Sequence, residues 1–357
     1  MTKAAADFFI LPTSTLREAI ACIDKHAEGI ALVVDPERRL LGTVTDGDMR
    51  RAILAGVELD RPVHVLLEER AARGQAKPIT APVGTLNTEL LRLMNHYRIR
   101  HVPLLDGEGR ITDIALMSQL ARGYELPLTA VIMAGGFGKR LRPMTDDRPK
   151  PMLPVGDKPL LEHIVAQLRT AGIRQVTFTT HYKGELIAQH FGDGKKFGVD
   201  ISYVKEGQPL GTAGAVNLVA ASEEPLLVMN GDVLTRVDFR AMLDFHREHR
   251  ADMTIAVKDQ STEISYGVVT LDGVRVKDIK EKPRMRYFIN AGIYLLSPKV
   301  RRFIPADRSS DMPDLISHVI TEGYRVVGFP VREYWLDIGK MEDYEQAVAD
   351  AKKGKLE

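Results

Sequence analysis

The chain has almost no cysteine and almost no tryptophan: one of each, Cys22 and Trp335, in 357 residues. A single thiol excludes an intrachain disulfide framework and a cysteine-rich zinc site, and with no partner for redox exchange it fits a reducing compartment. Charge of one sign is also missing. Lys and Arg number 49 against 48 Asp and Glu, a formal net charge of +1. The whole-molecule field therefore draws in neither nucleic acid nor a membrane surface, and any polyanion must be met by a local cluster. No apolar run approaches the roughly 18 residues of a membrane-spanning helix, and Asp7 stands where a signal peptide would carry its apolar centre. The expectation is a cytoplasmic protein without nucleic-acid or membrane partners. The composition that remains, 44% hydrophobic and 27% charged, is that of a globular chain, long enough at about 150 residues per domain for two or three domains.

Comparison of the chain with itself reveals a tandem pair in the first third. Gly29-Ile-Ala-Leu-Val-Val-Asp35, followed by Leu41-Gly-Thr-Val-Thr-Asp-Gly-Asp-Met-Arg-Arg-Ala52, is echoed more weakly by Ile99-Arg-His-Val-Pro-Leu-Leu-Asp106 and Ile111-Thr-Asp-Ile-Ala-Leu-Met-Ser-Gln-Leu120. Asp35 and Asp106 mark equivalent turns. Each copy opens on a helix signal, Ser14/Thr15 before Leu16 and Thr85 before Leu90, a hydroxyl ahead of apolar residues at helical spacing. Each then predicts a β-hairpin and a second helix. Over residues 8–122 this order resembles the CBS domain, whose paired copies often hold an adenosine nucleotide. The resemblance implies a regulatory unit and an adenine nucleotide as its partner. It matches Thr45 and Asp48 to positions that hold ribose and phosphate, while the second copy has Leu116 and Gln119 there. Read from the residues alone, Thr45 and Asp48 serve equally as the cap of the helix near Met49.

After the polar joint Arg122–Leu128 the texture becomes α/β. Ala130–Ala134, Gln175–Thr180 and Leu226–Met229 read as buried strands, and Leu160–Ala171 as an amphipathic helix. In such sheets ligands sit beyond the carboxyl ends of the strands. The segment just past the first strand is Gly135-Gly-Phe-Gly-Lys-Arg-Leu-Arg-Pro143, with Lys150-Pro-Met-Leu-Pro-Val155 following. Glycines there let backbone amides approach phosphate oxygens, and Arg140 and Lys150 supply positive charge. Met133 and Arg140 fill positions that exclude a Walker loop, and Leu141 excludes a dinucleotide fingerprint.

The run resembles the signature of sugar-phosphate nucleotidyltransferases. Further matches follow in order over residues 129–347: Leu210-Gly-Thr-Ala-Gly214, Asn230-Gly-Asp232, Tyr266-Gly-Val268, Glu281-Lys-Pro283, Asn290-Ala-Gly-Ile-Tyr294 and Trp335-Leu-Asp-Ile-Gly339. The resemblance implies a Rossmann-like nucleotide-diphospho-sugar transferase domain behind the CBS pair. Its implied reaction joins a nucleoside monophosphate from an NTP to a hexose 1-phosphate and releases pyrophosphate. It also implies Mg²⁺ on Asp232 and Asp337, and places Arg140 with the amides of Gly135, Gly136 and Gly138 on the triphosphate. Lys150 falls at the reacting phosphates, Gly267, Glu281 and Asn290 fall where the family contacts sugar hydroxyls and backbone-facing edges, and Lys282 falls at the sugar phosphate.

Base choice turns on Glu206, Gln208, Gly211 and Thr212. A carboxylate suits the donors of guanine, an amide the mixed edge of uracil, and both are present. The run Pro209–Gly214 is most similar to guanylyltransferases of the mannose 1-phosphate type. The CBS-first order is similar to guanylyltransferases that feed nonulosonic acid synthesis from glucosamine 1-phosphate. GTP is therefore the expected donor, with a uridylyltransferase or a non-catalytic nucleotide sensor as alternatives, and a homo-oligomer is expected by analogy. Four histidines carry no metal pattern: His246 and His249 read as a solvated helical face, and His181 and His190 flank a turn. Arg284, Arg286, Arg301 and Arg302 read as salt-bridged surface, and residues 348–357 as a fraying charged tail.

Overall fold

A computed structural model of the chain describes residues 5–26, 28–72, 77–97, 99–120, 125–305 and 308–356. Backbone contacts divide the chain into two compact units, Met1–Tyr124 and Glu125–Glu357. Arg122–Tyr124, the start of the expected joint, lie outside the described residues.

The first unit repeats one order of elements. Its first copy is β1 (Phe9–Ile10), α1 (Leu16–His26), β2 (Ile30–Val34), β3 (Leu40–Thr45) and α2 (Asp46–Leu54), with α3 (His64–Ala72) after it. Its second is β4 (Ala81–Pro82), α4 (Asn87–Tyr97), β5 (His101–Leu105), β6 (Ile111–Leu116) and α5 (Met117–Leu120). Each three-stranded sheet has one parallel pair and one hairpin. The hairpin turns are equivalent in detail: Asp35 accepts the Arg39 N–H at 2.7 Å, and Asp106 accepts that of Arg110 at 2.9 Å. A capping box starts α1, with the Thr15 hydroxyl accepting the Glu18 N–H at 3.2 Å and the Glu18 carboxylate accepting that of Thr15 at 2.7 Å. Thr85 does not repeat this. Its hydroxyl donates to the Pro82 carbonyl at 2.7 Å, and α4 begins later, at Asn87. The copies share a core in which Phe8, Ile30, Leu32 and Val34 meet Ile111, Ile114 and Leu116.

The second unit runs β7 (Thr129–Met133), β8 (Pro154–Val155), β9 (Lys158–Pro159), α6 (Leu160–Ala171), β10 (Gln175–Thr180), α7 (Gly184–Phe191), β11 (Asp200–Lys205) and α8 (Gly211–Gly214). It continues through β12 (Leu226–Asn230), β13 (Val233–Thr235), α9 (Phe239–Glu248), β14 (Met253–Glu263), β15 (Val268–Asp272) and β16 (Arg275–Lys280). It closes with β17 (Arg284–Leu296), α10 (Met312–Thr321), β18 (Val326–Val331), β19 (Trp335–Asp337) and α11 (Met341–Lys352). Seven strands form one sheet in the order β11-β10-β7-β12-β17-β14-β18, in which β17 alone runs against the rest. β7 shows why its residues make a central strand. Ala130 and Ile132 enter the core on one face and Val131 the core on the other, so an unbroken apolar run is needed. On the first of these faces α6 buries Leu160, Leu161, Ile164, Val165 and Leu168, a helical stripe.

Three sequence expectations are corrected by packing. His246 is not on a solvated face: only 4% of it is exposed, and its ring nitrogens meet the hydroxyls of Thr254 at 2.8 Å and Ser297 at 3.1 Å. Arg301 is not salt-bridged surface. Its guanidinium gathers the carbonyls of Val216, Asn217, Val219 and Ala220, closing the short helix Ala215–Leu218 where carbonyls lack partners. Nor does the expected tail at 348–357 simply fray over its described part, 348–356: α11 reaches Lys352, Asp350 is buried, and its carboxylate holds the Tyr334 hydroxyl at 3.1 Å and Lys355 at 2.7 Å. Arg284 and Arg286 do pair on the surface, with Glu263 and Asp259.

Candidate active site

Met133 and Asn230 are paired in register at the ends of β7 and β12. The chain leaves β7 as Ala134-Gly135 and leaves β12 as Gly231-Asp232, so a glycine loop and an acidic residue emerge side by side. Gly231 donates its N–H to the Met133 carbonyl at 2.9 Å, which fastens the two exits together.

The exit of β12 also receives the end of the chain. β13 pairs antiparallel with β19, opposing Val233 to Asp337, and the Ile338 N–H donates to the Asp232 carbonyl at 3.0 Å. Two carboxylates 105 positions apart in sequence thus become neighbours. Lys150 arrives from a short helical turn, is itself buried, and donates to Asp232 Oδ2 at 2.5 Å. Asp232 Oδ1 is buried with no hydrogen-bond partner among the described residues. Partial burial, with Asp232 alongside, pushes the Asp337 carboxyl above its ordinary range, against the pull of Lys150 and Arg140. Arg140 reaches the same place: a Cβ at Gly339 would lie 3.6 Å from its Nη1. Asp343 fixes this turn by accepting the N–H groups of Gly339 at 3.0 Å and Lys340 at 2.9 Å.

The glycine loop bends over Glu206, which is 7% exposed. A Cβ on Gly135 would stand 2.8 Å from Glu206 Oε1, so a side chain there would have to displace the Glu206 carboxylate. The other carboxylate oxygen of Glu206 accepts the Leu210 N–H at 3.0 Å, and the Glu206 carbonyl meets His181 Nδ1 at 3.0 Å. Phe137 of the loop packs against the His181 and Tyr182 rings with centroids 5.5 Å away in each case. Gln208 and Gly136 are exposed, and Gly138 turns with φ of 61°.

The segment Gly211–Gly214 has a second anchor. Asp311 accepts the Thr212 N–H at 2.9 Å, and the Thr212 hydroxyl accepts that of Met312 at 2.8 Å. The Ser310 carbonyl accepts from Ala213 and Gly214. Gly211 has φ of 78°, and a Cβ there would lie 2.6 Å from the Ser310 carbonyl. Sequence reasoning did not find Asp311, although an Asp before Met-Pro is a helix-start signal. Phe137, Tyr182 and Asp343 were also missed, because each acts through contacts distant in sequence.

The expected sugar positions fall at the β15–β16 hairpin and on β17. A Cβ on Gly267 would come 3.0 Å from Glu281 Oε2, so these two share one end of the β15–β16 hairpin. Lys282 follows at φ of 43° and is exposed. Asn290 sits on β17, donating to the Tyr294 hydroxyl at 2.8 Å and accepting the Gly292 N–H at 3.0 Å. In the first unit, Thr45 and Asp48 form the capping box of α2. The Asp48 carboxylate is further held by Arg51 at 2.7 Å and by Arg70 of α3 at 2.5 Å, and these cations keep its pKa low against burial. Leu116, at the matching place in the second copy, is 1% exposed.

Among the described residues no three His, Cys, Asp or Glu side chains gather as a metal cluster, and no helix is long and apolar enough to cross a membrane.

Parallel strands whose carboxyl ends carry a glycine loop, a buried lysine and two facing carboxylates define an α/β nucleotide-handling fold. The family model described as nucleotidyl transferase matches residues 129–354, and that of the CBS domain matches 1–55 and 75–124. The chain belongs to the nucleotidyl transferase family and carries paired CBS domains at its N-terminal side. It is 36% identical over 233 residues to a mannose-1-phosphate guanylyltransferase of Mycobacterium tuberculosis, covering 63% of this chain and 65% of that one. It is 35% identical over 224 residues to a D-glycero-alpha-D-manno-heptose 1-phosphate guanylyltransferase of Aneurinibacillus thermoaerophilus, covering 62% of this chain and 96% of that one. The crystal structure of HddC from Yersinia pseudotuberculosis superposes with a TM-score of 0.50 at 26% identity, over 62% of this chain and 99% of that one. The chain spans somewhat less than two thirds of the length of the mannose-1-phosphate guanylyltransferases it matches, 65% in the Mycobacterium protein.

Proposed function

We propose that this chain transfers GMP from GTP to a sugar 1-phosphate, giving a GDP-sugar and pyrophosphate. The observation that carries the reading is the meeting of Lys150, Arg140, Asp232 and Asp337 at the carboxyl end of the sheet, beside a glycine loop. A ligand-binding sensor has no need of a buried lysine locked to one of two facing carboxylates. The names of the two guanylyltransferase relatives, both acting on manno-configured sugars, support guanine as the base and put mannose 1-phosphate first among acceptors.

The residues fit a divalent cation. Asp232 Oδ1 is buried without a partner among the described residues, and the Asp337 carboxyl, whose pKa is raised by partial burial with Asp232 alongside, is one whose charged form a nearby cation would favour. Two carboxylates leave most of a coordination sphere to phosphate oxygens and water, which is the habit of Mg²⁺. When bound, that ion offsets charge on the phosphates and brings the two anions together. The protein's own part is positional and electrostatic. An oxygen of the sugar phosphate, already ionised, forms a bond to the α-phosphorus while the bond to the β-phosphate oxygen breaks and pyrophosphate leaves. Lys150 stabilises charge on the transferring phosphate. Arg140 and the amides of Gly135, Gly136 and Gly138 receive the departing phosphates.

The remaining assignments rest on position. Glu206, flanked by Gln208, Gly211 and Thr212, is the carboxylate nearest the base side. Gly267, Glu281, Lys282 and Asn290 line the sugar side. Thr45 and Asp48 take an adenine nucleotide only if the ligand displaces Arg70, which gives the CBS pair a regulatory part. Pyrophosphate release with Mg²⁺, measured for each common NTP against a panel of hexose and heptose 1-phosphates, tests the reading. GTP with one manno-configured acceptor should dominate. In Lys150→Ala turnover should fall at least about a hundredfold, as for loss of a transition-state donor, with GTP affinity far less affected. Silence across the panel favours the sensor, and a preference for UTP the uridylyltransferase.

A further inference from the structure

Three parallel strands that lie side by side, β7, β10 and β11, end in register and release three segments next to one another: the glycine loop from Gly135, the run His181-Tyr182-Lys183, and Glu206. The middle segment engages both neighbours. On one side His181 Nδ1 meets the Glu206 carbonyl at 3.0 Å. On the other side it touches the glycine loop at both ends. At the start of the loop, the Phe137 ring packs on the His181 and Tyr182 rings. At its far end, the Tyr182 hydroxyl donates to the carbonyls of Asp146 at 3.0 Å and Thr145 at 3.2 Å. The Lys183 ammonium donates to the same Asp146 carbonyl at 2.7 Å. Lys183 also takes a left-handed backbone, with φ of 50°, which residues carrying a side chain rarely adopt. A strained turn from which two consecutive side chains converge on one carbonyl has a use beyond starting α7.

Between those two contacts lies the stretch that carries Arg140. Its own bonds are local: the Thr145 hydroxyl and the Leu141 N–H both donate to the Gly138 carbonyl at 2.9 Å. Leu141 is buried in the main core and anchors the middle of the stretch. Gly135, Gly136 and Gly138 open many backbone conformations to the first half, so a loop held only at Leu141 would have to be ordered by each ligand it receives. Donors fixed beforehand spare that ordering. We propose that Tyr182 and Lys183 are positioning residues of this loop: by holding the Thr145 and Asp146 carbonyls they keep Arg140 and the loop amides set for the departing pyrophosphate. The role rests on the transferase reading, in which this loop receives pyrophosphate. Both side chains act through the loop backbone, so they govern the phosphate half of the nucleotide and leave the base half, at Glu206, alone.

The test uses the full chain and calorimetric titration with two probes, inorganic pyrophosphate with Mg²⁺ for the loop and GMP for the base side. Tyr182→Phe keeps the ring beside Phe137 and removes the hydroxyl, while Lys183→Met keeps most of the stem and removes the donor. The double variant should bind pyrophosphate about tenfold more weakly, the scale of one or two lost hydrogen bonds, with GMP affinity at its parent value. Each single variant should lose less, because the Asp146 carbonyl keeps its other donor. In turnover, the KM for pyrophosphate in the reverse reaction should rise by the same factor while the KM for the GDP-sugar holds. Tyr203→Phe is the control: its hydroxyl makes a like bond to the Gly192 carbonyl at 2.7 Å, away from the loop, and its loss should leave both affinities unchanged. Should the double variant fail to fold, Tyr182→Phe alone carries the test, with a roughly threefold loss for pyrophosphate expected. Unchanged pyrophosphate affinity in the folded variants overturns the proposal. So do equal losses for pyrophosphate and GMP, which would make the two side chains supports of the whole domain. A parent chain that binds pyrophosphate but turns over no substrate pair keeps the positioning role and removes the transferase. One that binds no pyrophosphate removes both.

Discussion

His246 shows how a single residue's surroundings convert into a measurable property of the fold. Burial drives its pKa from 6.5 down to about 4, with Arg247 and Lys299 adding to the shift and Asp252 opposing it. Its ring joins Thr254 of β14 to Ser297 just beyond β17, so the neutral form is part of the packing. The unfolded chain takes up a proton near pH 6.5, while the folded one refuses it until about pH 4. Stability from this group is complete above the first value, falls as pH drops between the two, and falls no further below the second. One proton sets the slope, at most about 1.4 kcal/mol per pH unit. His246→Gln offers similar hydrogen bonds without a titrating ring. Urea unfolding at a series of pH values should show a shallower loss of stability for the variant within that window. Parallel curves for the two proteins would mean that the ring titrates freely in the folded state.

At the scale of elements, the loop ahead of α8 depends on the start of α10. Thr212 was expected to touch nucleotide, yet its N–H and hydroxyl are engaged with Asp311 and Met312, and Ser310 takes the next two amides. Asp311 is thus a positioning residue: it holds Gly211–Gly214 against the glycine loop through Leu210 and Glu206. Asp311→Ala should raise the KM for GTP roughly tenfold, about 1.4 kcal/mol, with kcat and the KM for the sugar phosphate little changed. Asp311→Asn keeps an acceptor and should recover most of the affinity. Equal losses in all three constants, tracking a lower melting temperature, would make Asp311 a cap for α10 and nothing more. Calorimetric titration with GTP separates these outcomes without relying on turnover.

At the scale of the whole molecule, two physical signals made much of the structure legible in the sequence. The repeat was visible because each copy must make the same turn, and Asp35 and Asp106 make it with the same backbone bond. The glycine loop, Lys150, Asp232 and Asp337 were visible through their match to the family's ordered motifs, and the structure brings Lys150, Asp232 and Asp337 together. Less was legible where long-range packing decides. The polar look of Phe239–Glu248 hid a buried His246, and the charged terminus hid the docking of Asp350 beneath Tyr334. The two units also differ in a way that heat should reveal. Among the described residues, the cores holding Leu16, Met49 and Leu90 contain none beyond Leu120, and those holding Ile132 and Val228 contain none before Leu126. Each unit therefore buries its own apolar surface and should unfold as its own cooperative step. Scanning calorimetry should resolve two transitions. GTP with Mg²⁺ should raise only that of the larger unit, because a ligand stabilises the unit that binds it. Asp48→Asn removes the charge that Arg51 and Arg70 share, and should lower the other transition by about 2 kcal/mol, roughly 5–10 °C for a unit of this size. An adenine nucleotide that binds at Thr45 should raise that same transition in the parent chain and lose its effect in the variant. One transition that moves with both ligands would show that the units unfold together, and coupling between their sites would then follow from the folding equilibrium itself.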